Sequence, residues 1–146
     1  MFPRGSRTVH KILRSIIALA LLFEAAAFFA GAMLHLGISL PLPYVETESL
    51  RFAVLEAGAG GLLVIAFGAA LLRKRSAWKI AVIANVVGVA SIAFVTARGG
   101  PSVQASHHQP MLLLLIIVLV GLSIPRCRHA LENGHVRRRR RLIQAL

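Results

Sequence analysis

A few ionisable or amide side chains sit where an otherwise apolar sequence makes polarity expensive: Glu24, His35, Glu56, Asn85, His107 and His108. Glu24 is the single formal charge in residues 15–36. An ionisable group at the middle of a bilayer costs a few kcal/mol and is by default a functional residue. Held there as the neutral acid, it can carry a proton. The competing use is structural: a protonated Glu24 bonded to Asn85 or to a backbone carbonyl serves as glue between helices. His35, Glu56, His107 and His108 collect towards one end of the chain's apolar segments. Imidazole and carboxylate together suit a divalent metal, and two histidines at matched depth can ligate a haem. The reading preferred over either is that these four are hydrated interface residues that hold no cofactor. Adjacent His107 and His108 point apart on a helix, so a metal would use one of them.

Other residues carry less. Arg137, Arg138, Arg139, Arg140 and Arg141 form a basic run suited to anionic lipid headgroups, worth about 1 kcal/mol per residue near the surface. No aromatic residue interleaves with it, so nucleic acid is not an expected partner. The single cysteine, Cys127, cannot form an internal disulfide, and lipidation is its one alternative to a bystander role. Paired carboxylates, a nucleophile motif and a phosphate loop are all missing from the sequence, which leaves enzyme activity without positive support.

The elements that must position these residues follow from hydropathy. Of 146 residues, 57% are hydrophobic and 15% charged, the mean hydropathy is +0.74, and the net charge is +12. A soluble domain carries roughly 25% charged residues, so this chain calls for lipid as its solvent. Apolar stretches lie at residues 15–36, 52–72, 80–97 and 111–124. The first three reach the length of about 17–20 residues that a spanning helix needs; the fourth is short. Charge settles the fourth. All 17 Lys and Arg except Arg51 and Arg98 lie before the first stretch, between the second and third, or after the fourth. This is the positive-inside pattern, and it requires four crossings with both termini cytoplasmic. The fourth helix gains length by starting near His107 and thinning the bilayer locally. The expectation is an all-α, four-transmembrane-helix antiparallel bundle in a bacterial-type plasma (inner) membrane. A basic segment 1–14 precedes the membrane domain 15–125, with helices at 15–36, 52–72, 80–97 and 108–124, and a basic tail 126–146 follows. A cleaved signal peptide is the rival for the first stretch, but its apolar region is too long and holds Glu24.

Small and polar residues mark the faces that helices show each other in lipid. Ala20, Glu24, Ala27, Gly31 and His35 fall on one stripe of the first helix. On the second, Glu56 and Gly60 share a face with Ala57, Gly61, Val64 and Gly68. On the third, Ala81, Asn85 and Gly88 align beside Ala84 and Ser91. The fourth, apolar all round, is expected to face lipid. Depth places Glu24 roughly 15 Å, and Asn85 roughly 10 Å, from the inner edge, within reach of each other directly or through a water. Glu56, about 7 Å inside the outer edge, is not an obvious partner for Glu24.

The layout resembles the DoxX-like family of small four-helix membrane proteins. The resemblance rests on a first helix from Leu13-Arg14 to Gly31 and His35, on Glu56 within Val54-Leu55-Glu56-Ala57-Gly58, and on the third helix after the basic linker and Trp78. That family is linked to quinol oxidation as an accessory subunit, and the resemblance transfers no catalytic residue. Small multidrug resistance transporters also place a glutamate in the first of four helices. Their aromatic cage for cationic drugs is missing here, where one Trp and one Tyr occur. The expected function is that of a multi-pass membrane protein acting as an accessory or scaffold subunit, with a homodimer or another membrane protein as partner. Two alternatives stand beside it: a small proton-coupled carrier using Glu24, and a redox-associated subunit binding haem, metal or quinone near the outer face.

Overall fold

The structure, a computed structural model, describes residues 5–41, 49–99 and 108–132. Five helices and no strand occur among them: α1 Gly5–His35, α2 Leu50–Leu71, α3 Ala77–Gly99, α4 His108–Ser123 and α5 Pro125–Glu132. Each of the first four packs on the next, and α4 and α5 return to α1, which closes the ring. In this ring α1 and α3 lie diagonally opposite. Helices α1, α2 and α3 are long and apolar enough to cross a membrane, and α4 with α5 adds a fourth span if the two form one broken crossing. Large apolar side chains cover the outside, Phe23 being 67% exposed, Leu19 64% and Val54 62%. Such a surface fits a multi-pass membrane protein in contact with lipid.

The boundaries differ from expectation at the basic segments. No proline or glycine interrupts residues 6–30, so α1 begins at Gly5 and runs 31 residues. At 1.5 Å per residue it is about 46 Å long, against about 30 Å of hydrocarbon. Arg7, Lys11 and Arg14 therefore ride on the first turns of α1 rather than on a separate segment 1–14. Likewise α3 takes in Trp78 and Lys79 by starting at Ala77.

Two matching turns reverse the chain. At the end of α1, Ile38 N–H donates to Met33 O (3.0 Å) and Gly37 N–H to Leu34 O (3.0 Å), with Gly37 at φ 75°. This is a Schellman cap, and glycine suits its left-handed position. At the end of α2, Lys74 N–H donates to Ala69 O (2.9 Å) and Arg73 N–H to Ala70 O (3.3 Å). Here Arg73 adopts φ 56°, a conformation that costs a side-chain-bearing residue roughly 1–2 kcal/mol.

The buried stripe of α1 holds Ile17, Ala18, Leu21, Glu24, Ala25, Phe28, Ala32 and His35. Ala20 and Ala27, expected on this stripe, are half-buried at its edge, because the larger Leu21 and Phe28 fill the core. On α2 the buried face is Glu56, Ala59, Gly60, Leu63 and Ala66. Val64 is exposed and Gly61 and Gly68 face open space, so the expected glycine-rich face is turned partly outward. The α3 face of Ala81, Ala84, Asn85, Gly88 and Ser91 is buried as expected.

Helix α4 holds 16 residues, about 24 Å, and α5 leaves it at 81°. Pro125 opens α5 at the one position where a missing N–H costs nothing. Both ends of α4 are pinned. Its last turn is tied by Trp78 Nε1–H donating to Leu122 O at 2.8 Å, and its first residue, His108, contacts Glu56. It therefore runs the length of the bundle. Arg128 of α5 lies over the Trp78 ring, 4.7 Å from its centroid, while Ala130 and Leu131 bury against the bundle.

Candidate functional site

Three helices deliver one side chain each to the end of the bundle that holds the α1–α2 turn. His35 is the last residue of α1, Glu56 lies two turns into α2, and His108 opens α4. The α1–α2 register is fixed by the backbone, since Ser49 N–H donates to the His35 carbonyl at 2.9 Å. All three side chains are buried, His35 1% exposed, Glu56 0% and His108 2%. Glu56 Oε1 lies 2.8 Å from His108 Nε2 and 3.7 Å from His35 Nε2. The imidazoles sit with centroids 6.0 Å apart and planes tilted by 30°. Phe52, one turn before Glu56, presses its ring against His35 at 5.4 Å.

This burial corrects one expectation. Read from the sequence, the outer polar residues are ordinary hydrated interface groups; in the fold His35, Glu56 and His108 are enclosed. The reason is the positions they occupy on their helices. Each lies on the stripe its helix turns inward, and the first turn of α4 covers them from the side. His108 also makes α4 more than a lipid-facing helix. His107, the linker residues 42–48 and 100–107, and Arg137 to Arg141 lie outside the described residues.

The ligand atoms of the three side chains lie within 4.8 Å of one another. Zinc-type bonds of about 2.0–2.2 Å set neighbouring ligand atoms about 3–3.6 Å apart, so sub-ångström side-chain shifts suffice to close the triangle on an ion. Glu56 Oε2 has no hydrogen-bond partner among the described residues, so the carboxylate keeps an oxygen in reserve. Two imidazoles and one carboxylate form a donor set for zinc or a non-haem iron(II) ion, with coordination positions left over.

A second polar layer lies deeper. Glu24 and Asn85 are both 0% exposed, and the Asn85 amide faces the Glu24 carboxyl across the diagonal of the bundle. Glu24 is eleven residues before His35, about 16 Å along α1. Asn85 Nδ2 donates to the Ala81 carbonyl one turn back, at 3.0 Å. Neither Glu24 oxygen has a hydrogen-bond partner among the described residues, and Glu56 meets His108 instead.

Between the two layers lies an apolar one that the sequence reading missed. Phe28, 0% exposed, projects from α1 between Glu24 and His35. A Cβ added to Gly60 would stand 3.2 Å from Phe28 Cβ, and one added to Gly88 would stand 3.2 Å from the Phe28 ring and 3.1 Å from Leu115 Cδ2. Glycines on α2 and α3 thus make room for this side chain, Gly60 beside its Cβ and Gly88 beside its ring. Their position one turn beyond Glu56 and just after Asn85 is the signal that points to it. Cys127, on α5, is buried as part of the apolar core. No protein-family model, curated protein or solved structure matches the chain.

Proposed function

We propose that this protein resides in a bacterial-type plasma membrane with both termini cytoplasmic and holds one divalent transition-metal ion between His35, Glu56 and His108. The convergence of those three buried side chains from three helices carries this reading. Burying two imidazoles and a carboxylate in an apolar bundle is costly unless they are paired or bind an ion. A metal uses all three as ligands. The positive-inside charge pattern puts the site near the external face, where a metal ion from outside would reach it without crossing the bilayer. A bare ion suits the geometry better than haem, because Glu56 contacts both imidazoles and a porphyrin would have to displace it. With spare coordination positions and no second catalytic group in the sequence, the chain acts as a metal-holding accessory subunit. The DoxX-like resemblance points towards a similar role beside quinol oxidation. A carrier that moves cargo past Glu24 would first have to open the Phe28 layer.

A second reading has a specific observation behind it. The 2.8 Å contact between His108 and Glu56 is a good hydrogen bond, and the cluster could serve as a latch joining α4 to α1 and α2. Cobalt(II) titration of the detergent-purified protein separates the two. A metal site gives the d–d absorption of a low-symmetry nitrogen–oxygen site, saturating at about one equivalent and lost in His35→Ala and in His108→Ala. A latch gives the same weak, unsaturating signal in all three proteins.

A further inference from the structure

The Glu24–Asn85 layer takes part in none of the contacts of the His35–Glu56–His108 cluster. Its polar atoms do not balance. Both Glu24 oxygens and Asn85 Oδ1 are buried without a hydrogen-bond partner among the described residues. Of the two Asn85 N–H groups, one is committed to Ala81 O. Three acceptors therefore face a single remaining donor.

Along the apolar spans of α1 to α4, no charged side chain stands beside the layer to make up the difference. Along α1 from residue 15 to 34 Glu24 is the lone titratable side chain. On α2 none occurs between Glu56 and Arg73, on α3 none between Lys79 and Arg98, and on α4 none from Gln109 to Pro125. The Phe28 side chain, with its Cβ against Gly60 and its ring against Gly88, separates the layer from His35, Glu56 and His108. On the other side Leu21 and Ile17 close it off on α1. An ionised Glu24 would be a charge without a counterion in an apolar core, which proteins avoid by binding a partner or a proton.

One added proton restores the balance. A carboxylic acid and a primary amide match edge to edge: the acid O–H donates to the amide oxygen, and the amide N–H donates to the acid carbonyl. With Glu24 as that acid, its O–H serves Asn85 Oδ1, and the free Asn85 N–H serves the other Glu24 oxygen. The remaining N–H keeps its bond to Ala81. Every polar atom of the layer is then used, and no water is needed. The geometry points to a proton-binding site in the centre of the bundle: Glu24 and Asn85 form an acid–amide pair that binds one proton from solvent and clamps α1 to α3 across the diagonal. Loss of the proton would remove the O–H donor and set a bare carboxylate against the Asn85 oxygen, so the clamp exists only while the proton is bound.

Infrared spectroscopy of the full chain in lipid nanodiscs at neutral pH tests this. The wild type should show the C=O stretching band of a protonated carboxyl, displaced in deuterated buffer. Glu24→Gln should abolish the band, while Glu56→Gln should retain it. Glutamine presents N–H and C=O where the acid presents O–H and C=O, so this variant keeps both bonds and should fold. Should it fail to fold, Asn85→Leu answers the same question: the band should move to higher wavenumber as the carboxyl loses its partner. A wild-type spectrum indistinguishable from that of Glu24→Gln in this region, or a band unmoved in Asn85→Leu, overturns the proposal. Because the readout is the Glu24 carboxyl and needs no metal, it stands or falls separately from the outer site.

Discussion

Glu56 Oε1 and His108 Nε2 lie 2.8 Å apart although 52 residues separate them in the chain. The contact joins the second turn of α2 to the first residue of α4, and His35 completes it from the end of α1. The last helix of the ring is thereby fastened to the first hairpin at one end, as Trp78 fastens it at the other.

Breaking that contact from one side should cost more than removing it from both. His108→Ala leaves the Glu56 carboxylate buried with a lost partner, a change expected to cost about 3–5 kcal/mol. The double variant His108→Ala/Glu56→Ala removes the stranded group and should recover part of that loss. Thermal unfolding in detergent, followed by circular dichroism, measures both. Additive losses would show that the two side chains do not interact.

The glycines of α2 divide into two kinds. Gly60→Ala would place a methyl group 3.2 Å from Phe28 Cβ and 3.4 Å from the Ala25 carbonyl, neither of which can swing away. It should destabilise the bundle by about 1–3 kcal/mol. Gly61→Ala and Gly68→Ala meet open space and should be neutral or stabilising by at most about 1 kcal/mol through helix propensity. Equal effects at Gly60 and Gly61 would contradict the Phe28 seat.

Burial pushes the Cys127 thiol above the usual cysteine range. At neutral pH the folded protein holds it as the thiol, and the thiolate is the reactive form. Maleimide should label Cys127 much more slowly in the folded protein than after unfolding in dodecyl sulfate. Labelling in the folded state should speed up as the pH is raised. Equal rates in the two states would place the thiol on the surface.

Much of the architecture was legible because the costs that dictate it are large. Lipid accepts residues 52–72 and 80–97 only as helices, and the placement of Arg and Lys at alternate ends leaves few ways to fold the chain. Depth alone brings Glu24 and Asn85 within reach of each other, as both residues sit inside apolar runs of known length. The cluster of His35, Glu56 and His108 was visible as a list of residues but its burial was not. That depends on the α1–α2 turn at Gly37 and on the angle at which α4 enters, which hydropathy does not encode. The helix starts at Gly5 and Ala77 were missed for a related reason: hydropathy ends at the basic residues, whereas the backbone continues through them. In the sequence Phe28 stands as one apolar residue among many, because its importance lies in what two glycines on other helices leave for it.

Orientation is a separate claim with its own test. Both termini are expected in the cytoplasm, which places the cluster of His35, Glu56 and His108 at the external end. Fusions of alkaline phosphatase to the tail after Glu132 should be inactive, and fusions of a fluorescent protein there should be bright. The reverse pattern would put the metal site at the cytoplasmic end.

The most direct measurement is the metal-to-protein ratio, by plasma mass spectrometry, of wild-type protein extracted and purified without chelators from cells grown with zinc, iron and manganese. One equivalent of a single divalent transition metal is predicted, falling to background when His35 and His108 are replaced together by alanine. Background metal in the wild type, or an equal amount in wild type and double variant, would contradict the assignment of a metal centre.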